Sequence, residues 1–383
     1  MRTPLSPLDL PELTDYCVEF LRDSVSDLKR CALVSRLWVN SAQARIFHNI
    51  RITSRERSGN ERAWSRLEGT LRTSPHLVRH IHRLEVDSDA YSNKEEVLSA
   101  ICCFPFTHLE DACIIHISLL SLPLALAIQQ LLSLCTLRRL KISLHFDQRS
   151  LFLQMWDHCS PSLGHLELYF CERPKWHTSH RVNLLPDLLS GLPNHRATPI
   201  ALESLRITYM SISRADWLKE HYLGRLNFSR LKVLSIGKHA ELASQEYWAP
   251  AMGKIEALDF TAKGDTQIDL SSFPNLALLR VSIPGPTGRN IALGTLSTLT
   301  PSNLVCKIII HSSNLDAVAC DELDSRICDL RMSHLTAIEI EMDTISGGLT
   351  MVNLEESFKR LSSRTTVSPI ERNDFWFETF SRV

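Results

Sequence analysis

The sequence predicts an α/β chain: short parallel strands alternating with helices, behind a separate N-terminal helical segment. Three observations predict it. The 383 residues include 59 leucines but only 13 glycines, which suits a leucine-periodic scaffold and argues against enzymes built around glycine-rich phosphate loops. A leucine signature then recurs along most of the chain. Ahead of it lies a segment of about forty residues with more apolar helix surface than a unit of that size buries by itself.

The totals exclude other classes. With 44% hydrophobic and 22% charged residues the chain is no disordered polymer. Lys and Arg number 42 against 43 Asp and Glu, so there is no basic excess for phosphate and no nucleic-acid partner is expected. The start, Met1-Arg-Thr-Pro-Leu-Ser-Pro7, lacks the apolar core of a secretory signal, so an intracellular location, cytoplasmic or nuclear, is expected. Eleven cysteines, an odd number set mostly in apolar runs, suit reduced and buried thiols. Residues 112–137 carry no charge and are long enough to span a bilayer. Because they contain His116, Pro123, Gln129 and Gln130, they are expected to divide into a strand, a break and a helix, with no membrane span.

The signature is Leu-x-x-Leu-x-(Leu/Ile/Val/Phe). It occurs at Leu137/Leu140/Ile142, Leu163/Leu166/Leu168, Leu202/Leu205/Ile207 and Leu231/Leu234/Ile236. It continues at Ile255/Leu258/Phe260, Leu276/Leu279/Val281 and Leu335/Ile338/Ile340, with weaker copies at Ile81/Leu84/Val86, Leu109/Ala112/Ile114 and Val305/Ile308/Ile310. The middle residues fall at 84, 112, 140, 166, 205, 234, 258, 279, 308 and 338, in steps of 21 to 39. The alternating pair that ends each copy predicts a short strand with one buried face. Helices are expected between copies: Pro123 opens residues 124–134, and Ser213-Arg-Ala-Asp216 forms a capping box. The longest step holds residues 173–181, read as a surface insertion. Units of this kind bury their apolar faces only by stacking on one another. The pattern resembles a degenerate leucine-rich-repeat solenoid, without that family's regular asparagine ladder. A non-repetitive, leucine-rich α/β domain is the alternative.

At the N-terminus, Leu13, Cys17, Phe20 and Leu21 share one side of a first helix. Ser26 is read as the cap of a second helix carrying Leu28, Cys31, Ala32 and Val34, and Trp38 as the start of a third reaching Ala42, Ile46 and Phe47. Leu10-Pro-Glu-Leu13, Leu21, Leu28 and Val34-Ser-Arg-Leu-Trp38 resemble the F-box motif, although the family usually sets one residue between the proline and the glutamate, here adjacent as Pro11 and Glu12. Residues 74–86 further resemble the first repeat of the large fungal F-box families with irregular leucine-rich repeats. The resemblance implies an N-terminal tail at 1–7, an F-box at 8–50, a charged linker or helix at 51–75, a solenoid at 76–345 and a C-terminal cap at 346–383. It also implies docking on the Skp-type linker of a cullin ubiquitin ligase through Leu10, Pro11, Leu13, Leu21, Leu28, Val34 and Trp38, with the repeats holding a protein substrate. No cofactor and no catalytic residue are implied. A repeat scaffold outside any ligase, with its first helices merely capping the repeats, is the alternative.

Motifs for chemistry are missing from the sequence. There is no GxGxxG, no P-loop, no GxSxG elbow and no CxxC pair. Cys159, Cys171, His177 and His180 have the residue types of a zinc site, but Cys159 is placed in a helix and Cys171 after a strand, so core thiols are expected. His76, His80 and His82 are read as turn histidines beside arginines. Residues 45–83 hold nine arginines, three glutamates and no lysine, a candidate acceptor of acidic or phosphorylated groups or simply a solvated linker. Residues 373–380 are read as closing the last repeat or as a further contact element.

Overall fold

The computed structural model describes residues 10–53, 60–87, 95–115, 122–145, 159–171, 199–208, 226–237, 248–263, 267–312, 317–330, 332–342, 358 and 366–370. It divides into two compact units, Met1–Leu163 with Arg173–Thr198, and Gly164–Glu172 with Pro199–Val383.

The first unit opens with helices α1 (Pro11–Phe20), α2 (Val25–Val34) and α3 (Arg36–His48). Strand β1 (Asn49–Thr53) follows α3 with no intervening residue. Then come α4 (Asn60–Thr73), a 3-10 turn (Pro75–His80), β2 (Arg83–Asp87), α5 (Glu95–Cys102), β3 (Asp111–Ile115), α6 (Leu122–Leu132) and β4 (Arg139–His145). The four strands run parallel in sequence order. Ile50, Leu84, Ala112 and Leu140 share one register row, and Ile52, Val86, Ile114 and Ile142 the next on the same face. Parallel strands need a crossover, and α5 and α6 supply it while burying Ile101, Leu124, Ile128 and Leu131. The uncharged run at 112–137 therefore divides between β3 and α6. Among the described residues no helix is long and apolar enough to cross a membrane.

The second unit holds β5 (His165–Cys171), β6 (Ile200–Ala201), β7 (Ser204–Thr208), β8 (Leu226–Asn227), β9 (Val233–Ile236), β10 (Ala257–Thr261) and β11 (Leu278–Ile283). After these come α7 (Pro286–Leu296), β12 (Lys307–Ser312), α8 (Ala317–Asp329), β13 (Ala337–Met342) and β14 (Thr366–Ile370). Apart from the small β6–β8 pair, these strands form one parallel ladder in sequence order. Leu166, Leu205, Leu234, Leu258, Leu279, Ile308 and Ile338 line up across it. The first signature residue buries as well: Leu202, Leu231, Ile255, Leu276 and Val305 are each fully enclosed. Every described copy of the signature thus contributes its apolar residues to the core.

The connections follow the spacing. The 29- and 30-residue steps that end at 308 and 338 contain α7 and α8. The 24- and 21-residue steps leave less room, and among their described residues they carry 3-10 turns, Met252–Lys254 and Leu270–Ser272, where helices were expected. Neighbouring turns are tied by side chains in place of a regular asparagine ladder. Buried Asn303 donates from Nδ2 to the carbonyls of Leu270 and Phe273, both at 3.1 Å, and accepts the Thr300 amide at 2.7 Å.

The ladder also extends past the leucine signature at both ends. Strand β1 lies where the sequence placed the end of the helical segment, and β14 lies in the segment read as a cap. Pro369 sits in β14, which has β13 as its ladder partner among the described strands. A proline is tolerated there because an edge strand can spare an amide.

Candidate interaction surface

Helices α1, α2 and α3 pack on small and medium side chains. Thr14, Val18, Leu28 and Ala42 are almost wholly enclosed. The Thr14 hydroxyl donates to the Leu10 carbonyl at 3.3 Å, which lets a polar residue occupy a core position. Ser41 on α3 donates to Asp15 on α1, and Arg45 on α3 pairs with Glu19 on α1. Arg79 of the 3-10 turn donates to Asn40 Oδ1 at 3.2 Å and so joins α3 to the segment that precedes β2.

With those positions taken by the core, larger apolar residues are left outside. Among the described residues, eight of the ten exposed large hydrophobic side chains lie between 10 and 37: Leu10, Leu13, Tyr16, Phe20, Val25, Leu33, Val34 and Leu37. Phe20 is 72% exposed and Leu33 87% exposed, and the Tyr16 and Phe20 rings meet edge-on at 4.9 Å. Scattered apolar residues are normal on any surface, but this concentration on three short helices is not.

The expected docking residues separate accordingly. Leu10, Leu13 and Val34 are exposed, Leu21 and Trp38 are half-buried, and Leu28 is a core residue that supports the helices from within. Pro11 stands at the first position of α1, where its missing amide costs nothing. The buried side of α1 is Thr14–Val18, so Leu13 and Phe20 face outwards, against the stripe expected from periodicity. Helix α2 starts one residue before Ser26, behind Ser24, whose hydroxyl donates to Asp27 at 2.7 Å. Helix α3 starts at Arg36, two residues ahead of Trp38. Tyr16, Val25, Leu33 and Leu37 lie outside the expected docking set, although Leu13, Tyr16 and Phe20 recur at the i, i+3, i+7 spacing of a second stripe.

At the foot of these helices lies a cleft lined by Asp15, Ser41, Arg45, His48, His80 and His82. The rings of His48 and His82 stack at 4.7 Å, and those of His82 and His108 at 5.7 Å. Partial burial, then the neighbouring His82 and Arg45, hold His48 below the ordinary histidine pKa. Partial burial, then Arg79 and His76, do the same for His80. Among the described residues no group of three potential ligands converges as a metal site would require. Cys159 lies outside any helix, contrary to expectation, and burial pushes its thiol up to about 12. Cys171 closes β5, while His177 and His180 fall outside the described residues. The same holds for the insertion at 173–181, the capping box at 213–216 and the tail at 373–380.

The strand face opposite the leucine rows of the second unit carries charge. Arg206 pairs with Glu167 at 3.0 Å and Lys307 with Glu339 at 2.6 Å. Ser235 donates to Asp259 at 2.7 Å, and Arg280 pairs with Glu341. Between them Ala257, Leu278 and Ile309 form a small buried apolar cluster. Pairing spares the enclosed Arg280 and Glu341 the penalty of isolated charges, whereas burial still weighs on Asp259. Neither a protein-family model nor any curated protein matches the chain.

Proposed function

We propose that the chain is a substrate receptor of an SCF-type (Skp–cullin–F-box) ubiquitin ligase, with α1–α3 as the F-box and the parallel repeats as a leucine-rich-repeat solenoid. The observation that carries the reading is the set of exposed apolar side chains from Leu10 to Leu37. An unpartnered apolar face of this kind is the ordinary mark of a protein-docking site. Burying one aromatic such as Phe20 under a partner would contribute about 1.5–3 kcal/mol. The parallel repeats would hold the protein target. The chain's part in the reaction is proximity: it brings a target to the transferring enzyme and performs no chemistry itself.

The test is co-purification of the full chain with a Skp-type linker, before and after Phe20→Ser and Leu33→Asp. Stoichiometric capture by the natural chain and its loss in folded variants is the expected result; a chain that never captures the linker sinks the reading.

One observation favours a second reading. Helix α3 continues directly into β1 and packs on the turn before β2, as a cap on the first strand would. A repeat scaffold outside any ligase needs no more than that. Deletion of residues 1–50 would remove part of β1, so the surface variants separate the two readings more cleanly.

A further inference from the structure

We propose that the junction between the N-terminal helices and the first strands is a proton-sensitive latch, closed while its stacked imidazoles are neutral and loosened when they take up protons. The rings lie on the backbone bonds that make the junction. His48 ends α3, His82 precedes β2 and His108 precedes β3. The His82 amide donates to the His48 carbonyl at 3.0 Å, and the amides of Glu110 and Asp111 donate to the His82 carbonyl at 2.9 and 3.1 Å. The three rings stack directly beside these bonds, and His80 lines the same cleft. Protonation would set like charges against each other at stacking distance, with cations already close by.

Helix α1 contributes Asp15 and Glu19, but Ser41 donates to the first and Arg45 and Arg22 engage the second. Helix α3 adds Arg45, and the turn adds His76 and Arg79. On α4, Glu68 and Arg72 pair with each other at 2.7 Å. Arg51 of β1 pairs with Glu85 of β2 at 3.0 Å, and Arg83 of β2 with Asp111 of β3 at 3.7 Å. Among the described residues, Glu110 is the carboxylate within ion-pair range of a ring, 3.7 Å from His82 Nδ1. One carboxylate does not balance three or four imidazolium rings. The C-terminus of α3 would ordinarily welcome a proton on His48, yet partial burial, with the adjoining ring and guanidinium, outweighs it.

The sign follows from linkage. His48 and His80 bind a proton less readily folded than unfolded, so their share of stability is complete above the ordinary histidine value. It is lost as pH falls from about 6.5 towards the lower folded values. The latch does not depend on the ligase reading, because it concerns how α3 is fastened to the strands and not what α1–α3 bind.

Amide hydrogen exchange on the full chain tests it, corrected for intrinsic rates, at about pH 7.5 and about pH 5.5. Protection of the amides at His82, Glu110 and Asp111 is expected to fall about tenfold on acidification while that of β11–β13 holds. In His48→Gln/His82→Asn the fall should shrink to under about twofold. Should the double variant already lack protection at the higher pH, His48→Gln alone carries the comparison. An equal fall in β11–β13, a fall that survives in the variants, or no fall at all overturns the proposal.

Discussion

Arg280 on β11 donates to Glu341 on β13, reaching across β12, and both residues are less than one-tenth exposed. Removal of one partner strands a charge that water cannot reach. Glu341→Leu is expected to cost about 3–5 kcal/mol, the usual penalty for breaking an enclosed pair. The cost should fall at the lower end, because Arg280 also lies beside Asp259. Arg280→Met combined with Glu341→Leu should restore part of the loss, because Asp259 is then left without its neighbouring cation. Denaturant unfolding followed by a probe in the second unit checks both, since two units need not unfold together.

Asp259 supplies a pH signature of the opposite kind to the histidines. Burial is the largest influence on its carboxyl and raises its pKa, against the pull of Arg280 and the Ser235 hydrogen bond. A raised carboxyl pKa means that the folded chain holds its proton longer. Stability from this group is therefore present below the unfolded value and is lost as pH rises through the folded one. Asp259→Asn should gain on the natural chain as pH increases from about 4 to 7, measured as the difference in unfolding midpoint. A difference that is flat across that range would contradict it.

The helical segment separates surface from core within a few residues. Phe20→Ser removes a side chain that is 72% exposed and should change stability by no more than about 0.5 kcal/mol. Leu28→Ala opens a cavity at a fully enclosed site and should cost about 2–5 kcal/mol. Circular dichroism melts of the two variants decide the matter, and similar losses would mean that the outer stripe is itself packed.

Two glycines in helices should respond oppositely to alanine. Gly69 in α4 has open space around its missing side chain, so Gly69→Ala should stabilise by about 0.5–1 kcal/mol. At Gly288 in α7 a new methyl would overlap the Ala262 carbonyl oxygen, and the backbone must move to admit it. Gly288→Ala should therefore destabilise despite its better helix propensity, by about 1–3 kcal/mol. Thermal denaturation of both variants gives the signs.

Much of the parallel ladder was legible because each copy states its structure three times over. Leu137, Leu140 and Ile142 are all buried, so one spacing predicts both the turn and the strand. Strand β1 was legible in principle, since Phe47, Ile50 and Ile52 keep the same spacing with phenylalanine in the first place. Strand β14 was hidden by Pro369, which reads as a breaker until β14 is seen to be outermost among the described strands. The apolar excess of the helical segment was legible, and with it Leu10, Leu13 and Val34 among its exposed members, whereas Tyr16, Val25, Leu33 and Leu37 were not. On α1 two apolar stripes compete, and the choice between them rests on Thr14 fitting against α3 better than Leu13, which periodicity does not express. The histidine stack was out of reach because His48, His82 and His108 are brought together only by strand register.

Pro369 has a consequence for how the chain behaves at high concentration. The Thr366 amide bonds inward to the Thr336 carbonyl, so strand alternation turns the nitrogen of residue 369 outward. A proline there offers an incoming strand no hydrogen where the next rung would attach. A bare parallel edge is a template for fibre growth, and β14, the outermost strand among the described residues, is chemically blunted at Pro369.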